Sequence, residues 1–304
     1  MIIKLYYFIR PLIPRWAQIY LRRLNLLFKR PFYSSIWPID KNANKTPPNW
    51  KGWPENKKFA FILTHDVETA EGQLKCEELA NIEIELNFRS SYNFVPERYT
   101  VSHEIRNFLI KNRFEVCVHG LRHDGKLYLS EKIFNERTQK INDYLKEWGA
   151  VGFHSPSTHR NMEWLHKLNI EYDQSTFDTD PFEPNPKSSK QIFPSWIRNG
   201  AINRGYIEIP YTLPQDFTLF VLMKEKNNDI WKRKLNWIAE NGGMVLLKTH
   251  PDYMYFNGSK ATIDTYPVDY YYDFLLYLKK AYSDSYWHVL PKTLAKYFRT
   301  QCIS

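Results

Sequence analysis

Two histidines lie four residues apart in the segment EVCVHGLRHDG, which covers residues 115–125. His119 and His123 follow an apolar run that is typical of the end of a buried strand. A short helix or a tight turn here would bring both imidazoles to one side of the backbone. Such a pair can bind a divalent metal ion, although this spacing also arises by chance.

An acidic pair in the segment THDVE supplies carboxylates that could act with the two histidines in a metal site. Asp66 and Glu68 are two residues apart, so in extended backbone both side chains point to the same side. One carboxylate with His119 and His123 makes a two-histidine, one-carboxylate site with open positions for water and substrate. The other carboxylate would accept a proton from the bound water. The structural alternative is a strand-end pair that caps a helix or binds basic residues.

Clusters of polar residues that could take part in catalysis or metal binding follow four strand-like segments of the chain. The active sites of parallel α/β barrels lie at the carboxyl ends of several different strands. This distribution therefore favours an enzyme over a binding module. The clusters are THDVE after 59–64, HGLRH after 114–118, HSPSTHR after 150–153 and HPDY after 243–249.

The elements that must position these clusters alternate between strand and helix patterns from residue 59 onward. This alternation predicts a largely parallel sheet covered by helices, an α/β fold. The predicted strands are 59–64, 114–118, 150–153, 170–175, 206–212, 243–249 and 286–291. The main predicted helices are 73–87, 102–112, 130–148, 229–241 and 269–282.

The chain is predicted to divide into a basic amphipathic arm with a linker over 1–50 and a body over 51–304. Residues 1–31 carry seven of the Lys and Arg residues, and without them the net charge of +9 falls to about +2. The arm contains a predicted helix over 16–30, and two interpretations of it stay open. One is peripheral contact of residues 1–31 with an anionic membrane, and the other is a helix packed on the body. The helix places one set of residues along its apolar side: Trp16, Tyr20, Leu24, Leu27 and Phe28.

Composition excludes several other classes of protein. The charge is confined to the arm and no nucleic-acid-binding motif is present, so no nucleic-acid partner is expected. Three scattered cysteines offer no disulfide framework. The apolar N-terminus is interrupted by Arg10, Pro11 and Pro14, and no cleavage site follows it. We therefore expect a cytoplasmic protein, and the membrane interpretation of the arm would place it at the inner membrane face.

The motifs over about 59–298 resemble those of the polysaccharide deacetylase family, the NodB-homology domain of carbohydrate esterase family 4. The resemblance implies a distorted (β/α) barrel. The first family motif usually reads T-F-D-D, so Asp66 matches its general base and Val67 stands where the ligand Asp usually lies. Relatives with D-x-E imply that Glu68 is the metal ligand here. The H-x-x-x-H motif implies that His119 and His123 are the other two ligands.

Three further motifs complete the resemblance. His154 in FHSPS stands at the Arg of the family's R-x-P motif, which holds the base, and the backbone N–H of Ser157 corresponds to the oxyanion donor. Asp173 in YDQS matches the acid that orients and charges the catalytic histidine. His250 in LLKTHPDY matches the general acid that protonates the leaving amine.

The resemblance implies a metal-dependent hydrolase of cell-envelope carbohydrate metabolism, with Zn²⁺ as the expected ion. Its partner would be an N-acylated saccharide, and its reaction the removal of an N-acyl group, expected to be N-acetyl, from an amino sugar. The amino sugar would belong to a polysaccharide or a glycan precursor. Two alternatives stay open: a deformylase of a lipid-linked amino sugar, and a non-catalytic relative that binds glycan or membrane.

Overall fold

A computed structural model describes residues 13–183, 185, 187–200, 204–256 and 258–303. Within them, β1 is the central strand, because it pairs with three others in parallel. All nine of its residues are buried. This agrees with a strand whose two faces are both covered by other elements. The strands of the main sheet are β1 (Phe59–Val67), β2 (Ser91–Phe94), β3 (Glu115–His119), β4 (Gly152–His154), β5 (Tyr172–Asp173), β6 (Ser195–Arg198), β7 (Gly205–Glu208), β8 (Met244–Thr249) and β11 (Tyr286–His288).

The sheet curls into a distorted, incomplete barrel. Its strand order is β11-β1-β2-β3-β4-β5-β7-β6, with β8 paired to the other edge of β1. All pairs of this sheet are parallel except that of β6 with β7. The backbone N–H groups of Thr212 and Leu213 donate to the carbonyl oxygen of Leu246 at 3.1 Å, so the chain after β7 reaches β8. The α/β barrel expected from the sequence is thereby confirmed.

Helices cover the outside of the barrel, and their ends follow from local sequence. Ser130 caps α5 by accepting from the backbone N–H of Ile133 at 3.3 Å, and Gly149 ends it with a φ of +62°. Phe134, Ile141 and Leu145 form its buried side. The helices are α1 (Arg15–Lys29), α2 (Ala70–Leu74), α3 (Cys76–Glu85), α4 (His103–Lys111), α5 (Glu131–Trp148), α6 (Met162–Leu165), α7 (Asp229–Glu240), α8 (Asp269–Tyr282) and α9 (Pro291–Ile303).

Several elements of the barrel and its surroundings were not predicted from the sequence. They include β2, the antiparallel β6 and a π-helix at Phe217–Leu222. A short two-stranded parallel sheet of β9 (Met254–Tyr255) and β10 (Tyr266–Pro267) lies beside the barrel. β2 matters for function, because it lies between β1 and β3 and brings Asn93 to the carboxyl edge of the sheet.

The predicted helix of the basic arm forms as α1 and lies on the body of the protein. Its Ile19 and Leu26 are buried in a small apolar cluster with residues of the π-helix. Residues 1–12 of the arm lie outside the described residues. The domain boundary near residue 50 stays a prediction, and Trp37 and Ala43 are buried in the main core. Within the described residues, none of the helices combines the length and apolar character needed to cross a bilayer.

A buried polar cluster fixes the carboxyl end of β1 from the side opposite Asp66. Glu83 of α3 accepts hydrogen bonds from His65 Nε2 at 2.8 Å, from Ser90 Oγ at 2.7 Å and from the Tyr271 hydroxyl. The other ring nitrogen of His65 lies 2.7 Å from the Thr249 hydroxyl at the end of β8. One buried carboxylate thus ties α3, β1 and α8 together.

Replacement of this carboxylate tests its role in stability. Glu83→Ala leaves the polar groups of His65, Ser90 and Tyr271 buried without their acceptor, so the free energy of unfolding should fall by about 3 kcal/mol. Urea denaturation measures this change. Glu77→Ala on the exposed side of the same helix is the control and should change it by less than about 0.5 kcal/mol. Equal effects of the two substitutions would contradict the prediction.

Candidate active site

The carboxyl ends of four parallel strands converge on one polar cluster. The ring centroids of His119 and His123 lie 5.1 Å apart, and those of His119 and His154 lie 4.8 Å apart. The site residues that the structure brings together are Asp66, Glu68, His119, His123, His154 and His250.

Asp66 lies at the centre of the cluster and is almost completely buried. Its Oδ1 accepts hydrogen bonds from Asn93 Nδ2 at 2.8 Å and from His154 Nδ1 at 2.7 Å. Lys248 Nζ lies 4.0 Å from its Oδ2. Burial opposes ionisation, but the neighbouring His119, His154 and Lys248 outweigh it and hold the pKa of Asp66 well below its usual range. The carboxylate is therefore ionised and oriented, as a general base must be.

Two basic residues, His154 and Lys248, lie beside Asp66. His154 Nδ1 donates to the carboxylate, and its Nε2 lies 3.4 Å from Lys248 Nζ. Burial lowers the pKa of His154. Arg160, on the loop that follows His154, donates to the backbone oxygens of Thr158 and Ser175. Lys248 therefore supplies a cation near Asp66.

The two histidines of H-G-x-x-H have the surroundings of metal ligands. His119 Nδ1 donates to the carbonyl oxygen of His154 at 3.1 Å, so its Nε2 carries the lone pair. Burial lowers the pKa of His119 well below its usual value. Among the described residues, the buried Nε2 atom of His119 has no hydrogen-bond partner, and the contact of His123 Nε2 is with Glu68 Oε1, a further candidate ligand, at 3.1 Å. Buried imidazole nitrogens with these surroundings fit a metal ion.

Glu68 completes this ligand set. Its Oε1 lies 3.1 Å from His123 Nε2, and ligand atoms of Glu68, His119 and His123 all lie within 4.8 Å of one another. The Tyr253 hydroxyl donates to its Oε2 at 3.1 Å. Burial raises the pKa of Glu68, but His123 and His250 outweigh it and lower the pKa well below its usual range. A second set within the same distance is Asp66, His119 and His154.

A loop, and not a helix, brings His119 and His123 together. His119 ends β3, and the chain then turns through left-handed backbone at Gly120, with a φ of +64°, and at His123, with a φ of +53°. A Cβ atom at residue 120 would lie 2.5 Å from Cγ of Pro156. The glycine is therefore required by the close approach of the loop that carries Pro156.

Asp216, rather than Asp173, orients His250. Asp216 Oδ1 lies 2.7 Å from His250 Nδ1, and its Oδ2 accepts from the backbone N–H of His250 at 2.7 Å. Burial opposes the charged imidazole, but Asp216, with Glu68 and Asp66, raises the pKa of His250 to about 9. His250 Nε2 lies 3.8 Å from Asp66 Oδ2. A charged acid thus stands next to an ionised base.

Asp173 has a different place from the one predicted. It accepts from the backbone N–H and the hydroxyl of Ser175 at 3.0 and 2.7 Å. The Ser175 hydroxyl in turn accepts from the backbone N–H of Ser155 at 2.8 Å. Burial and the neighbouring Asp173 raise the pKa of Glu208 well above its usual value. Asp173 therefore anchors the chain that follows His154.

Ser157 lies on that chain in the short turn Pro156–Thr158. Its φ is +55°, and the residue is half-buried. This turn is the one that approaches Gly120 between the two histidines, so it forms a wall of the site. The role of the Ser157 N–H as an oxyanion donor stays a prediction.

Sequence reasoning missed three residues of the site: Asn93, Asp216 and Lys248. Lys248 carried a signal, because a cation inside the buried strand MVLLKT requires a partner. Asp216 lies in the segment LPQDFTLF, outside any predicted strand and far along the chain from His250. Its role as the partner of His250 follows only from the structure, in which the π-helix begins next to the end of β8.

Comparison with known proteins identifies the fold. No protein-family model matches the chain, and no curated protein matches it in sequence. A probable polysaccharide deacetylase from Pseudomonas aeruginosa superposes with a TM-score of 0.67 at 16% identity, covering 88% of this chain and 100% of the other. A putative polysaccharide deacetylase from Mycobacterium smegmatis gives 0.66 at 17% identity, with coverages of 85% and 96%. An allantoinase gives 0.66 at 14%, with coverages of 88% and 99%. The chain therefore has the (β/α) deacetylase fold of the NodB type.

The partner of His250 can be tested by titration. Asp216→Asn removes the carboxylate charge that raises the pKa of His250, so this pKa should fall from about 9 by at least about one pH unit. NMR titration of the imidazole ¹⁵N signals, assigned with His250→Gln, measures the change. Asp173→Asn is the matched control and should leave the pKa within a few tenths of a unit. A fall in Asp173→Asn alone would restore the role predicted from the sequence.

Proposed function

We propose that the protein is a metal-dependent hydrolase that removes an N-acyl group, with N-acetyl as the first expectation, from an amino sugar of a polysaccharide or glycan precursor. One observation carries this proposal. Asp66 and His250 lie 3.8 Å apart, and their surroundings move their pKa values in opposite directions. Two neighbouring groups kept as base and acid at the same pH are the arrangement that general acid–base catalysis requires.

The chain's own residues supply both proton transfers. Asp66, held by Asn93 and His154, takes a proton from the attacking water as the water oxygen bonds to the acyl carbon. His250, kept charged by Asp216, gives a proton from Nε2 to the sugar nitrogen as the C–N bond breaks. The products are a free carboxylic acid and an amine. The backbone N–H of Ser157 is proposed to donate to the developing oxyanion.

The proposed metal ligands are Glu68, His119 and His123. Two imidazole nitrogens and one carboxylate oxygen suit Zn²⁺ and leave positions open. When bound there, the ion would lower the pKa of a water molecule and polarise the acyl carbonyl. His154 donates to Asp66, so its ring is engaged in holding the base. For that reason we favour the set with Glu68 over the set with Asp66 and His154.

The choice of substrate depends on the order of the motifs and not on the fold. Proteins with this fold include two described as polysaccharide deacetylases and one described as an allantoinase. The fold alone therefore does not select the substrate, and the motif order over 59–298 supports an N-acylated sugar. Release of formate in place of acetate would indicate the deformylase alternative. The buried acid–base pair argues against a non-catalytic relative, because its desolvation costs stability without serving a binding function.

Metal analysis by mass spectrometry tests the ligand set. Protein prepared without chelator should contain about one metal ion per chain, and His119→Ala and His123→Ala should lose it. Glu68→Gln should weaken binding at least about 10-fold, whereas His154→Gln should retain the ion. His103→Ala, on the exposed start of α4, is the control. Loss in His154→Gln with retention in Glu68→Gln would instead favour the second set.

An assay of acid release tests the reaction. N-acetylated amino sugars should yield acetate, and Asp66→Asn and His250→Gln should each lower the rate by about 100-fold or more. Circular dichroism and thermal unfolding verify that both variants fold, and His103→Ala should keep the rate of the wild type. Undiminished release by either site variant would contradict the mechanism.

A further inference from the structure

Helix α1 packs on the body with its basic side. Arg15 Nε donates to Asp264 Oδ2 at 3.1 Å, and Arg23 donates to the carbonyl oxygen of Val221. The Arg22 guanidinium lies 4.5 Å from the centroid of the Phe217 ring. Guanidinium groups form such cation–π and carbonyl contacts readily, since they are weakly hydrated. The buried apolar residues of the helix, Ile19 and Leu26, lie on the same side as these arginines at helical spacing.

The apolar side of α1 therefore points away from the body. Six large apolar side chains of this segment are more than half exposed, from 54% for Leu21 to 83% for Phe32, which follows the helix, whereas Leu24 is partly buried. A helix on a soluble body normally buries its apolar side and exposes its charges, so this orientation is inverted. We call this set the outer face, and its members are Trp16, Tyr20, Leu21, Leu27, Phe28 and Phe32.

We propose that the outer face is a docking surface for a lipid bilayer that contains anionic lipid. The outer face combines Trp and Tyr, which favour the interface between water and lipid, with Leu and Phe, which enter the acyl boundary. Lys29 follows Phe28 and is exposed, so its cation is available to lipid headgroups.

Charge along the chain favours a bilayer over a second copy of the protein. No Asp or Glu precedes Asp40, and residues 1–31 carry seven basic residues. Arg15 and Arg30 pair with Asp264 and Glu225, so the body offsets part of this charge. Two copies joined through their outer faces would bring two basic segments together, whereas an anionic headgroup layer complements them.

A short chain of contacts connects this surface to the site. α1 packs on Phe217 and Val221 of the π-helix, which begins directly after Asp216, the partner of His250. The Arg15 guanidinium also lies 5.9 Å from the centroid of the Tyr253 ring, and the Tyr253 hydroxyl binds Glu68. Docking would thus hold the site next to lipid, which suits an amino sugar carried on a lipid anchor. This last step rests on the proposed function, and the docking itself does not.

Vesicle flotation of the full chain tests the docking. Vesicles of equal parts phosphatidylcholine and phosphatidylglycerol should bind the wild type, and pure phosphatidylcholine should bind it more weakly. The variant Leu27→Ser/Phe28→Ser/Phe32→Ser should lose at least about 30-fold in affinity, because three side chains no longer partition into the interface. The matched control is Leu74→Ser/Ile110→Ser, which alters two exposed apolar residues elsewhere and should bind like the wild type.

Three results would overturn the proposal. They are no binding of the wild type to the anionic vesicles, equal binding by the outer-face variant, and a concentration-dependent dimer that this variant abolishes while vesicle binding is absent. The outer-face residues lie outside the catalytic cluster, so the variant should hydrolyse a soluble N-acetylated sugar at the rate of the wild type. Failure of docking is thereby distinguishable from failure of the proposed reaction.

Discussion

A buried carboxylate that must stay ionised is the constraint on which this structure depends. Asp66 has lost nearly all contact with water, and such a group is tolerated only with several donors and a nearby positive charge. Those partners come from three other strands: Asn93 from β2, His154 from β4 and Lys248 from β8. The order and register of the parallel sheet are therefore conditions for the site, and the sheet is in turn fixed by the apolar run of β1.

The separation between base and acid follows from the same constraint. The environment of Asp66 contains donors, which favour the anion, whereas the environment of His250 contains Asp216, which favours the cation. The two groups would neutralise each other if they were free to meet. Asp216 prevents this by holding both Nδ1 and the backbone N–H of His250, which fixes the ring with Nε2 3.8 Å from the base.

The local sequence predicted those features of the structure that depend on residues close together in the chain. Apolar runs gave the strands, and polar residues at their ends gave Asp66, His119 and His250, because strand ends meet at one edge of a parallel sheet. The partner of His250 could not be predicted in this way, since it depends on a distant π-helix packing against β8. The helical pattern of α1 predicted which residues share a side of the helix, but it did not predict which side packs on the body. That outcome depends on Phe217 and Val221, which offer a ring and a carbonyl oxygen to arginines.

The shared place of His154 and Lys248 beside Asp66 restricts how this site can change over evolutionary time. An arginine at 154 with Lys248 still present would put two permanent cations against one carboxylate in a space closed to water, whereas loss of Lys248 alone would leave the carboxylate without its permanent cation. The effects of substitutions at positions 154 and 248 are therefore expected to be coupled. An arginine at 154 is expected to leave the site intact only when a neutral residue replaces Lys248.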